Sequence, residues 1–241
     1  MIQTRKYSSN ESGIGSVSKV LLSLAKKETD IVCLPEQWLA NNIIPDFEAE
    51  FSAMMRISKD HSMTVIPGAF YEKTVRGHSI SAPIIVSGEI TGKQKKIHPF
   101  GYEKLRTSPG TKATVFKAGK VRFGVIVCYD MVFPCVAETL AKKGADVLFS
   151  PSRIVRRGIL PWHTYVQARS LENRIPILAA NVHDSKFGGK SIIVDLTEDD
   201  GVMIPRPSKL PDGQSHMSMP FCLSKYKKGR LQRYKDGQRF S

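Results

Sequence analysis

Two hydrophobic periods alternate along this chain, and the switches between them mark out its elements. Residues 16–27 place Val17, Val20, Leu21, Leu24 and Ala25 on one stripe, the spacing of an amphipathic helix. The continuous apolar run Ile31-Val32-Cys33-Leu34 predicts a strand covered on both faces, ending at Pro35-Glu36. Residues 45–60 read as a second helix, with Pro45 and Asp46 suited to its first turn and Phe47, Phe51, Met54 and Ser58 facing inward. Strands are predicted at 63–71 and 79–86, and Ser87-Gly88-Glu89 turns the latter into another at 90–98. Residues 113–118 and 121–128 pair as a hairpin about Gly119-Lys120. Helices follow at 134–143 and 161–174, each opening on Pro, and strands at 147–150, 175–181 and 191–195. Short strands are predicted at 1–7 and 221–223, whereas 10–15, 99–111 and 196–219 read as turns and loops.

Strands and helices interleave, yet several strand pairs are hairpins. This combination predicts an α/β fold with mixed sheets and helices stacked outside them. With 241 residues, 41% of them hydrophobic and 24% charged, the chain can bury a full core, and residues 1–241 are expected to form a single domain. No run of ~18 apolar residues exists to cross a membrane. The opening residues MIQTRKYSSNESG lack the apolar stretch of a signal peptide. Four cysteines, Cys33, Cys128, Cys135 and Cys222, show neither a disulfide framework nor metal-ligand spacing. Reduced thiols, a cytoplasmic location and no metal are therefore expected. Lys and Arg outnumber Asp and Glu by 36 to 22, giving a net charge of +14. The charge is spread along the chain and is densest in a basic tail, 225–241, from Lys225 to Arg239. No recognition motif accompanies it, so nucleic acid is not the expected partner.

Candidate chemistry gathers where strands end. Glu36 follows Ile31-Val32-Cys33-Leu34-Pro35, Lys96 lies near the end of the strand before His98, and Cys128 closes the strand 121–128. In α/β sheets such strand ends border the crevice where ligands bind. A carboxylate, an ammonium and a thiol make a coherent set. A thiolate attacks a carbonyl or nitrile carbon, a carboxylate moves the proton, and an ammonium stabilises the oxyanion. Each residue also has a structural reading: a helix-start acid, a solvated strand edge, a small buried hydrophobe. Side chains alternate across a strand, so Lys95 and Lys96 cannot both face one pocket.

These residues sit in blocks that resemble the carbon–nitrogen hydrolase, or nitrilase, superfamily and its Glu-Lys-Cys triad. Ile31-Val32-Cys33-Leu34-Pro35-Glu36 is similar to the family's strand ending in Pro-Glu. Lys96-Ile97-His98 is similar to its Lys-x-His motif and selects Lys96 over Lys95. The run from Gly124 through Cys128-Tyr129-Asp130 to Phe133-Pro134 is similar to its nucleophile block. Trp162 with Ala168-Arg169-Ser170-Leu171-Glu172-Asn173, then Asn181, then Gly189-Lys190-Ser191 with Asp195, complete the order over residues 3–195. The resemblance implies an α-β-β-α sandwich and cofactor-free hydrolysis of a non-peptide C–N bond, amide or N-carbamoyl, through a thioester at Cys128. It implies Glu36, Lys96 and Cys128 as catalytic residues and Glu103 as a second glutamate beside the lysine. The Tyr129 N–H would complete an oxyanion hole with Lys96. A homodimer built partly through the 162–173 helix is also implied.

Three departures stand out. Cys135 takes the place of the acid usually found after Phe-Pro, the first strand is clipped, and the segment bordering the pocket carries Arg153, Arg156 and Arg157. Arginine forks bind carboxylates well, so these three predict a small-molecule substrate bearing a carboxylate, against the plainer reading that they face solvent. A non-catalytic scaffold on the same fold, or an acyltransferase, are the alternatives.

Overall fold

The computed structural model describes residues 1–75, 77–211 and 213–237. Its first half builds one sheet: β1 (Ile31–Cys33), β2 (Ile43–Ile44), β3 (Thr64–Ile66), β4 (Phe70–Thr74), β5 (Gly77–Val86) and β6 (Glu89–Lys95). The order is β1-β3-β5-β4-β2, with β6 also paired to β5. The second half builds the other: β7 (Val115–Ala118), β8 (Val121–Val125), β9 (Val147–Pro151), β10 (Ile177–Ala180), β11 (Ile192–Asp199) and β12 (Val202–Lys209), in the order β12-β11-β10-β9-β8-β7. Both sheets are mixed. β1 runs parallel to β3 and β9 parallel to β8 and β10, while β4–β5, β5–β6, β7–β8 and β11–β12 are antiparallel.

Period-two alternation decides the layering. Cys33, Ile66, Ala82 and Ile84 of the first sheet meet Phe123, Val125, Phe149, Leu178 and Ile193 of the second in one buried cluster between the sheets. The intervening residues face outward. Val32 and Val65 pack under α1 (Asn10–Ala25) and α3 (Ser52–Asp60), the latter preceded by the single turn α2 (Phe47–Glu50). Leu148, Ile177, Ala179 and Val194 pack under α4 (Pro134–Lys142) and α5 (Ile159–Asn173). The result is the α-β-β-α sandwich. Gly124 lets α4 sit close, since a Cβ there would come within 2.8 Å of Leu140 and Leu148 side chains.

Several boundaries differ from the sequence reading, each for a physical reason. Residues 10–15 are not a loop: the Ser9 hydroxyl accepts the Ser12 N–H and starts α1 there. The helix expected at 45–60 breaks at Phe51, where α2 ends and α3 begins. The strand expected at 63–71 is two, β3 and β4, parted at Pro67-Gly68. β6 stops at Lys95 and β8 at Val125, so Lys96 and Cys128 lie beyond their strands rather than in them. The 99–111 loop contains a 3-10 turn, Gly101–Leu105. Residues 1–7 make isolated bridges, Ile2 to His216 and Thr4 to Val182, in place of a strand. Within 196–219, β11 continues to Asp199 and β12 returns beside it. Residues 221–223 are not a strand, and the basic tail folds as α6 (Ser224–Gly237); Arg239 lies outside the described residues.

Candidate active site

Three loops at the strand ends bring Glu36, Lys96 and Cys128 together. After β1, the Glu36 N–H donates to the Ser152 carbonyl at 3.2 Å, tying this loop to the one after β9 across the sandwich. After β6, the Lys96 N–H donates to the Ile80 carbonyl at 2.8 Å, so the sheet register continues one residue past the strand. That register buries Gln94 and Lys96 and leaves Lys95 exposed. After β8, Cys128 opens a 3-10 turn, Cys128–Val132, with a left-handed φ of 49°. Few non-glycine residues adopt that region, and here it swings the thiol toward the other two loops.

The Lys96 ammonium sits between two carboxylates, 2.9 Å from Glu36 Oε1 and 2.8 Å from Glu103 Oε2. Glu36 and Lys96 are each 2% exposed and Cys128 is 9% exposed. Glu103 is fixed from its own turn, where its Oε2 also accepts the Phe100 N–H at 2.7 Å. The Cys128 sulfur lies beside the Glu36 side chain, the Lys96 ammonium and the Arg153 N–H, each near enough to bear on its ionisation. Burial pushes the thiol well above its ordinary value, and the Glu36 charge adds to this; Lys96 and the Arg153 N–H oppose it. Burial alone would favour a neutral Lys96, yet the Glu36 and Glu103 charges, joined by Cys128 when it ionises, outweigh it and hold the ammonium above its ordinary value. The resting site is thus a neutral thiol beside an ammonium. Among the described residues no group of three or more His, Cys, Asp or Glu could hold a metal ion.

The remaining predicted residues divide. Tyr129 follows the thiol directly, with its ring against Phe100 at 4.8 Å and Phe133 at 5.3 Å. The Arg153 guanidinium lies 4.4 Å over the Phe187 ring and donates from Nη1 to Gln37 Oε1 at 2.8 Å, while its buried Nε has no partner among the described residues. Arg156 is spent on the Asp184 and Ser185 carbonyls, and Arg157 is exposed. Gln37 and Tyr71 carry no local sequence signal, yet Gln37 accepts from Arg153, and Tyr71 lies beside Gln37 and Tyr102. Arg169 was visible only as part of a block. It reaches from α5 to the Met131 and Val132 carbonyls, both at 3.2 Å, and supports the Cys128–Val132 turn. Asn181 similarly holds the loop after β9, accepting the Ile154 N–H at 2.7 Å.

The family model for carbon–nitrogen hydrolases matches residues 1–213. The chain belongs to the carbon–nitrogen hydrolase family. Curated relatives include a nitrilase from Pyrococcus abyssi, 33% identical over 156 residues that cover 62% of this chain and 57% of that one. Another is the omega-amidase NIT3 of Saccharomyces cerevisiae, 32% identical over 138 residues, 51% of this chain and 47% of that one. The chain thus spans about half the length of the curated relatives it matches. The solved fold of yeast Nit3 superposes with a TM-score of 0.76 at 21% identity, covering 95% of this chain and 92% of that one. An amidase from Nesterenkonia sp. AN1, solved with an acetamide moiety covalently added at its active-site cysteine, gives 0.72 at 18% identity, covering 98% and 94%. These two are likenesses of fold.

Proposed function

We propose that this chain hydrolyses a non-peptide C–N bond, an amide or an N-carbamoyl group, through a thioester on Cys128. The observation that carries this reading is the buried Lys96 ammonium held between Glu36 and Glu103, with the Cys128 thiol beside them. A protonated thiol needs a base at the moment of attack, and the Glu36 carboxylate is the acceptor beside it. As Sγ bonds to the carbonyl carbon, Glu36 takes the thiol proton. Lys96 and the Tyr129 N–H stabilise the oxyanion. Collapse of the tetrahedral intermediate breaks the C–N bond, Glu36 returns the proton to the leaving amine, and ammonia departs. Water then attacks the thioester with Glu36 again as base, releasing the acid and restoring the thiol. Glu103 keeps Lys96 aimed throughout.

The substrate bears a carboxylate at its far end. Arg153 supplies the charge: Gln37 and Phe187 orient its guanidinium, and its Nε has no partner among the described residues. The omega-amidase relative in yeast is in keeping with amide hydrolysis. The assembly is a homodimer through α5. Purified protein assayed on ω-amides, N-carbamoyl amino acids and neutral aliphatic amides should release ammonia and carry an acyl adduct on Cys128 by mass spectrometry. Turnover of neutral amides alone would sink the carboxylate assignment. No turnover and no adduct across the panel would sink the hydrolase.

A further inference from the structure

Thiol, ammonium and carboxylate come from three separate loops, so the site depends on whatever ties those loops together. The Asp130 carboxylate is 1% exposed and lies two residues beyond Cys128. Its Oδ2 accepts the Ile97 N–H at 3.0 Å, and its Oδ1 accepts the His98 N–H at 2.7 Å. Those are the two peptide groups that follow Lys96. The His98 Nδ1 lies 2.9 Å from the same Oδ1, and its ring stacks on Phe133 at 3.7 Å, the residue that ends the nucleophile turn. One buried carboxylate therefore joins the lysine loop to the cysteine turn, and the imidazole braces the join.

We propose that Asp130 is a positioning residue for C–N hydrolysis: it sets Lys96 against Cys128, with His98 as its brace. This rests on the hydrolase reading above. Burial works against the charged carboxylate while the N–H bonds from Ile97 and His98 support it, so the peptide donors and the carboxylate need one another. Asp130→Asn separates this role from space-filling. The amide has the same shape, but it offers an NH₂ where one peptide N–H needs an acceptor, and two donors then face each other.

Asp130→Asn should lower kcat about 100-fold with KM changed less than about threefold, the cost expected of a misplacement near 1 Å. His98→Ala keeps both peptide bonds and should lower kcat only about fivefold. A second readout needs no substrate: the rate at which iodoacetamide alkylates Cys128, followed by mass spectrometry. It should fall about tenfold in Asp130→Asn, because a displaced Lys96 no longer favours the thiolate. Wild-type kcat and wild-type alkylation in Asp130→Asn would overturn the assignment, as would a rise in KM with kcat unchanged. Should Asp130→Asn fail to fold, His98→Ala decides: a reduced kcat supports the brace, and an unchanged one removes it. A wild-type protein that turns over no amide counts against the hydrolase reading, and the alkylation rates still judge Asp130.

Discussion

At the scale of single residues, the site is a problem in buried charge. Lys96 balances two carboxylates, so removing different members has unequal costs. Glu36→Gln leaves the Lys96–Glu103 pair in place and a neutral amide beside the thiol. Lys96→Met leaves Glu36 and Glu103 buried with no counter-ion among the described residues. Breaking a buried pair this way costs about 3–5 kcal/mol. Both variants should lose nearly all turnover, but thermal unfolding should find Lys96→Met much the less stable. Equal melting temperatures would mean that Glu103 and Glu36 are neutralised by other means. The thiol makes a second prediction. Its value is raised by burial and by Glu36, so at neutral pH the folded protein holds a proton there. Ionisation, and with it iodoacetamide alkylation of Cys128, should keep rising from pH 7 to beyond about pH 9, past an ordinary thiol's value of about 8.5. A rate that is already level at pH 7 would indicate a standing thiolate. Cys135 is exposed and free, so the measurement must be made site by site.

At the scale of elements, glycines show how loops are allowed to meet. Gly68 parts β3 from β4 with φ at +115°, and a Cβ there would lie 2.1 Å from the Pro35 carbonyl oxygen. That carbonyl adjoins Glu36, which bridges to Ala69. Gly68→Ala should therefore cost about 3–5 kcal/mol and displace the Glu36 loop, seen as a lower melting temperature with lost activity. Gly15 lies within α1, and a Cβ there meets nothing within 4 Å among the described residues. Gly15→Ala should stabilise the fold by about 0.5–1 kcal/mol. A Gly68→Ala protein as stable as wild type would remove the close approach as the reason for this glycine. The contrast also explains what was legible in the sequence. Alternation along strands and stripes along helices marked the sandwich, and Glu36, Lys96 and Cys128 stood in recognisable blocks. Turn residues misled at 10–15 because the Ser9 cap and the packing of Gly13 against Tyr7 and Trp38 override their local preference. Pro205 and Pro207 disguised β12, an edge strand that tolerates them because alternate N–H groups point away from the ladder. Gln37 and the fork of Arg156 were beyond reach for another reason. Their partners lie on distant segments and carry no periodic signal.

At the scale of the whole molecule, the outer helices are not equally covered. The inner side of α5 buries Trp162, Val166, Arg169, Ser170 and Asn173. Its outer side presents Leu160, which is 76% exposed, then exposed Thr164 and the partly buried Ala168 and Leu171. Those positions recur at i, i+4, i+8 and i+11, the spacing of a helix-packing seam with small residues at its centre. A second copy presenting the same face would cover the row in an isologous contact. The contact would also bear on chemistry, because Arg169 reaches from the opposite side of this helix to the Met131 and Val132 carbonyls of the nucleophile turn. Sedimentation velocity at micromolar concentration should find a dimer. Leu160→Glu combined with Ala168→Arg should give a folded monomer, since neither side chain enters the core. If the contact steadies the turn through Arg169, that monomer should also show a lower kcat at little changed KM. A wild-type monomer, or a double variant that still sediments as a dimer, would place any self-association elsewhere on the sandwich.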